Sequence, residues 1–159
     1  PSALGQLPNL QHLDLSDNKL LSGNLPSELG RLASLEYLDL SDNWLTSASF
    51  PPEIGDLSSL ESLNLRNNGL TELPPTLGQL ANLERLWLGN NRLTELPPGW
   101  SQLASLQHLG LYDNQLTGPL PPEWGRMTNL QSLTLGGHRL TGPLPPEWGR
   151  MTNLQSLTL

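Results

Sequence analysis

The side chains best equipped for chemistry are few: Tyr37, Arg66, Arg85, Trp87, His108 and Tyr112. Large rings and guanidinium forks carry much of the energy at binding interfaces, so a Trp among Tyr and Arg has the composition of a contact anchor. A blander account of Trp87 is an exposed ring packed on Arg85 or Arg66 by cation–π contact. Catalysis finds little support. His12 beside Asp14 and His108 beside Arg85 are the only suggestive pairs, and no serine nucleophile is aligned with either. No Gly-rich loop follows a strand in a way that would cradle phosphate.

Two further sets recur along the chain. Asp14, Asp39, Asp17 and Asp42 could supply oxygen ligands to Ca²⁺, beside a column of Glu36, Glu61 and Glu84. A solvated acidic face accounts for them more simply, so neither a metal nor a cofactor is expected. The second set is Asn18, Asn43, Asn68, Asn91 and Asn114, with His138 in the sixth place. An amide can donate and accept at once, which suits these asparagines to pairing buried backbone groups. His138 offers a different geometry, read either as a locally loosened turn or as a metal or pH site.

What positions all of these is an internal repeat. The segments Leu10 to Leu15, Leu35 to Leu40, Leu60 to Leu65, Leu83 to Leu88, Leu106 to Leu111, Leu130 to Leu135 and Leu154 to Leu159 share the pattern L-x-x-L-x-L, with spacings of 25, 25, 23, 23, 24 and 24 residues. Alternation inside each predicts a short strand with leucines inward. One turn cannot bury its leucines alone, so the turns must stack, with parallel strands about 4.8 Å apart. The outward column then reads Asp14, Asp39, Asn64, Trp87, Gly110, Thr134 and Thr158. Trp87 stands out in it, and Gly110 leaves room beside the ring.

Between strands, prolines suit an extended crossing segment, and Glu-apolar-Gly triplets such as Glu28-Leu29-Gly30 suit one short helical turn closed by Gly. Trp100, Trp124 and Trp148 fall at the apolar place of such turns and are expected in the core. The Thr column (Thr46, Thr71, Thr94, Thr117, Thr141) follows the Asn turn and suits backbone hydrogen bonding. Trp44, in the loop after its strand, is a weaker contact candidate.

The chain has 159 residues, 8 Lys or Arg against 15 Asp or Glu, a formal charge of −7 and no cysteine. That balance argues against a sequence-independent grip on nucleic acid phosphates and leaves no disulfide or thiolate metal site. No apolar run is long enough to span a bilayer, so no membrane contact is expected of this segment. Signal-peptide and N-glycosylation patterns are absent.

Taken together, the L-x-x-L-x-L-x-x-N-x-L units resemble leucine-rich repeats throughout residues 1–159. Units with L-T-G-x-L-P-x-x-(apolar)-G, such as Leu116 to Leu130, are similar to the plant-type class of receptor ectodomains and polygalacturonase-inhibiting proteins. The two middle units with LTELPP resemble a shorter class of intracellular scaffolds. The resemblance implies an α/β-class solenoid, right-handed and curved, with a parallel concave sheet, short 3₁₀ or extended convex segments and little true α-helix. It implies binding on the concave face, and slightly favours an extracellular or cell-surface location. Neither end carries a cysteine-capped repeat, so a longer protein is expected, although arrays need polar caps. Residues 116–135 recur identically at 140–159.

Three functions compete. The leading one is recognition of a protein or peptide on the concave face, centred on Trp87 with Tyr37, Arg66, Arg85, His108 and Tyr112. The second is a scaffold segment of a larger complex. The third, less favoured, is glycan, cell-wall or ice-surface binding; enzymatic activity comes last.

Overall fold

The computed structural model describes residues 3–18, 23–95 and 98–159. Leu20, expected inward after Asn18, and the Leu96-Pro97 pair of the second LTELPP segment lie outside them. The seven leucine segments form seven strands: β1 (His12–Asp14), β2 (Tyr37–Asp39), β3 (Ser62–Asn64), β4 (Arg85–Trp87), β5 (His108–Gly110), β7 (Ser132–Thr134) and β9 (Ser156–Thr158). They make one parallel sheet in that order, each residue paired with its counterpart one repeat away, as in Asp14 with Asp39 and Trp87 with Gly110. The other two strands, β6 (Thr117–Pro119) and β8 (Arg139–Thr141), pair in parallel in the two Leu-Thr-Gly-Pro units. There Gly118 and Gly142 take φ of 83° and 84°, a conformation costly for other residues.

The core is the inward leucine set. Leu83, Leu86, Leu88 and Leu93 are at most 2% exposed, and the equivalent leucines of the flanking turns match them. Each contributes roughly 1.5–3 kcal/mol by leaving water. On the opposite side run short 3₁₀ turns, among them Ser27–Arg31, Pro52–Asp56, Pro75–Gln79 and Pro122–Arg126, and no α-helix occurs among the described residues. The Glu-apolar-Gly triplets do form single short turns, with the glycine next to the last residue of each. At two of them crowding also requires it: a Cβ on Gly55 would sit 2.6 Å from the carbonyl oxygen of Thr76 in the next repeat, and one on Gly30 would collide with that of Glu53. Trp100, Trp124 and Trp148 stack on one another, with ring centroids 6.4 and 6.1 Å apart, and fill the core as expected.

The asparagine column joins the turns. Asn91 Nδ2 donates to Leu88 O in its own turn at 3.0 Å and to Leu65 O in the turn before at 2.9 Å, while its Oδ1 accepts Leu70 N–H at 3.2 Å. Asn68 and Asn114 repeat all three bonds, and Asn43 repeats both donations. Among the described residues, Asn18 donates only within its own turn. One residue earlier, Asp17, Asp42, Asn67, Asn90 and Asp113 all have φ between 51° and 55°. Asp and Asn tolerate this left-handed bend better than most residues.

His138 keeps one bond of the column: its Nε2 lies 2.8 Å from Leu111 O, so that nitrogen carries the proton. Its Nδ1 is buried without a partner. His138→Asn restores the missing acceptor and is expected to raise the unfolding free energy by about 1 kcal/mol; an unchanged or lower denaturant midpoint would show that the ring already serves as well. The duplicated segment gives a second test. Leu133 is fully buried whereas its twin Leu157 is 38% exposed. In the 159-residue chain, Leu133→Ala should cost roughly 2–5 kcal/mol and Leu157→Ala much less; similar losses in parallel denaturation curves would contradict the burial difference.

Candidate functional site

The outward strand positions form a continuous face with two groups of contacts. Toward the N-terminus, the rings of His12 and Tyr37 stack with centroids 4.2 Å apart and planes within 1°. Tyr37 Oη donates to Asp39 Oδ2 at 3.0 Å. Asp39 also accepts the Ser41 N–H (2.8 Å), the Ser41 hydroxyl (2.6 Å) and the Asn64 amide (2.8 Å). Burial alone would raise the Asp39 pKa, but these four bonds outweigh it and hold the carboxyl below its ordinary value. Tyr37 is pushed up, first by burial and then by its bond to Asp39. Asp14 is held low chiefly by hydrogen bonds from Ser16.

Asp14, Asp39 and Asn64 share a local role. Each accepts the N–H two residues on, from Ser16, Ser41 and Arg66, and so fixes the bend at the strand end. Asp17 and Asp42 occupy the left-handed position of that bend, and Asp42 also accepts the Asn67 amide at 2.8 Å. The structure therefore does not gather Asp14, Asp17, Asp39 and Asp42 into a cage, and no group of three or more His, Asp or Glu among the described residues is placed to hold a metal ion. The acidic face is also not uniformly solvated, because Asp39 is buried.

At the centre of the sheet the strand-end acceptor is replaced by Trp87. Its half-buried ring leans over Gly110 on β5, where a Cβ would lie 2.7 Å from Cε3. Arg66, from the loop after β3, places its Cζ 4.8 Å from the ring centroid, and His108 stacks at 6.3 Å with a 20° tilt. Tyr112 lies across Gly89, and a Cβ at Gly89 would collide with its ring. Arg85 projects from the start of β4 and meets Glu84 at 3.7 Å, in a pair with side-chain exposures of 45% and 33%. Of the six expected contact residues, Arg66, Trp87 and His108 touch, Tyr112 and Arg85 flank them, and Tyr37 belongs to the neighbouring group. Trp44 is 65% exposed and stands off the strand face.

One column escaped sequence reasoning. Ser59, Asn82, Asn129 and Asn153 donate across repeats to the carbonyls of Ala33, Ser58, Ala104 and Thr128 at 2.6–2.7 Å, forming a second ladder along the rim of the face. Its signal was present, since the residue before the first leucine of every segment is Asn or Ser. Thr46 does serve the backbone: it caps the 3₁₀ turn Ser47–Ser49 in a reciprocal box.

A family profile described as leucine-rich repeat region matches residues 2–135, and one described as leucine rich repeat matches residues 129–151. No curated protein matches the chain. Among solved structures, a leucine-rich repeat protein of Leptospira interrogans is 37% identical, with a TM-score of 0.76, covering 98% of this chain and 44% of that one. The plant peptide hormone receptor RGFR1, solved in complex with RGF2, is 30% identical with a TM-score of 0.76, over 99% of this chain and 29% of that one. The ectodomain of the Arabidopsis receptor kinase HAESA, solved with an N-terminally extended IDA peptide hormone, is 30% identical with a TM-score of 0.73, over 100% of this chain and 31% of that one. The chain thus spans less than half the length of each.

The Asp39 network yields a pH test. Its folded pKa lies below the unfolded value of about 3.9, so its contribution is present above that pH and is lost as pH falls through the folded value. Asp39→Asn should lower the denaturant midpoint at pH 7, and the gap to wild type should close below about pH 4. A gap that stays constant across that range would rule out the carboxylate as its source.

Proposed function

Because the chain belongs to the leucine-rich repeat family, we propose that it is a recognition module without catalytic activity that binds a protein or peptide on its strand face. The carrying observation is Trp87, half-buried between Arg66 and Gly110 in a column whose earlier members are Asp14, Asp39 and Asn64. A strand-end acceptor is given up there for a large ring, which the solenoid itself does not require. A ring already held in place loses little freedom on binding, and that favours affinity. Two of the similar structures are complexes with RGF2 and with a peptide hormone, which supports a peptide or protein as the class of partner here.

An open strand face also suits this role better than chemistry. Among the described residues it presents a row of side chains across several turns and no enclosed site from which water is excluded. A second reading, a scaffold segment of a larger assembly, draws on Trp44, whose exposure off the strand face would serve contacts elsewhere. Cross-links confined to the Trp44 loop and the 3₁₀ side would favour that reading.

Trp87→Ala is expected to weaken partner binding by at least about 2 kcal/mol while the circular dichroism and thermal unfolding of the array stay close to wild type. Affinity unchanged by this substitution would remove Trp87 as the anchor.

A further inference from the structure

The hydrogen-bonding capacity left open on the strand face is unevenly distributed. In the N-terminal group it is consumed internally: the Asp39 carboxylate takes four donors, and Asn64 both donates to Asp39 and accepts from Arg66 N–H. At the centre the opposite holds. Among the described residues the Arg66 side chain makes no hydrogen bond or ion pair, and its Nε is buried unpartnered. The hydroxyl of Tyr112 and the indole N–H of Trp87 likewise have no partner within the described residues. Arg85 is engaged only by the loose, exposed contact to Glu84, a kind of pair worth little in water.

The centre is therefore rich in unused donors and carries two guanidinium groups, one on each side of Trp87 along the strand direction. This occurs in a chain whose formal charge is −7, so the patch runs against the charge of the whole molecule. Resting on the reading of this face as a peptide-binding surface, we infer that the central patch takes an acidic peptide segment, with a carboxylate directed at Arg66 beside Trp87. Arg is suited to this, because its planar fork matches a carboxylate and stays charged at all working pH values. The Trp87 ring beneath it fixes the guanidinium, so less freedom is lost when the carboxylate arrives. The acidic N-terminal turns, with exposed Asp14, Asp17 and Glu36, then orient the segment. A basic residue is tolerated over β1 and β2 and disfavoured over β4, and this opposition of charge sets the direction of the bound chain.

The test uses the 159-residue chain as bait for a displayed library of random 12-residue peptides, with selected peptides sequenced and their affinities measured. Peptides that compete with one another, and that lose affinity on Trp87→Ala, define binding at this face. Among them Asp and Glu should be enriched at least about threefold over the unselected library. Their affinity should fall at least tenfold on Arg66→Gln and should weaken with added salt. Arg66→Glu should turn the selection toward Lys and Arg. Circular dichroism of each variant separates loss of fold from loss of binding, and the composition selected by the wild type does not depend on any variant. Trp87-dependent peptides without acidic enrichment would overturn the inference and leave the peptide-binding reading standing. Failure to select any Trp87-dependent peptide would overturn both.

Discussion

A side-chain amide after each of β3, β4 and β5 satisfies three backbone groups at once: a carbonyl of its own turn, a carbonyl of the turn before, and an N–H of that earlier turn. These groups are buried among leucines, where an unpaired donor or acceptor costs roughly 1–3 kcal/mol. No hydrophobic side chain could do this work, and a serine or threonine lacks the reach. The left-handed Asp or Asn before it belongs to the same device, because the reversal there directs the amide inward. The leucines supply the driving force, but their burial is possible only because the backbone that buries them is hydrogen-bonded. His138 illustrates the dependence: a ring in the same place keeps the donated bond and strands its other nitrogen.

Once leucine and asparagine have specified the turn, the outward residues of each strand are released from structural duty by degrees. Asp14, Asp39 and Asn64 still hold the strand-end bend. From β4 onward that column passes to Trp87, Gly110, Thr134 and Thr158, and the bond is forgone. The parallel register then does something no single repeat could do. Gly110 offers the space that the Trp87 ring occupies, Arg66 closes over it from the previous turn, and Tyr112 folds back across Gly89. Neighbouring repeats are thus complementary in size, large beside absent, and the face acquires a relief that repetition of one consensus would erase.

Most of the architecture was legible because it is periodic. Strand positions and the inward leucines follow from a pattern repeated seven times, the asparagine column from five copies and the buried tryptophans from three, with each copy checking the others. The ladder on the rim was equally periodic but was hidden by chemistry: Ser and Asn both occur in it, and only their shared ability to donate unites them. The site was legible only in part. Column alignment isolates Trp87 as a departure, yet it could not rank Arg66 above Arg85 as the partner of the ring, since that choice is made by side-chain torsions across two turns. Nor could it tell that Asp39 is buried in a four-donor shell while Asp14, one strand away with the same residue type, is exposed.

The identical segments 116–135 and 140–159 show why local sequence is not enough. Both make the same 3₁₀ turn and the same strand of the main sheet, although β6 and β8 sit two residues out of step relative to them. Yet Leu120 is 6% exposed where its twin Leu144 is 49%, and Leu135 is 1% exposed where Leu159 is 61%. Energy in a solenoid is therefore a property of neighbours, with each repeat's contribution set by what stacks on it. The same holds for recognition. Trp87 lies on one repeat, its space on the next and its cation on the one before, so the proposed unit of recognition is a short column across three turns. A substitution that leaves every repeat individually acceptable can still dismantle that column.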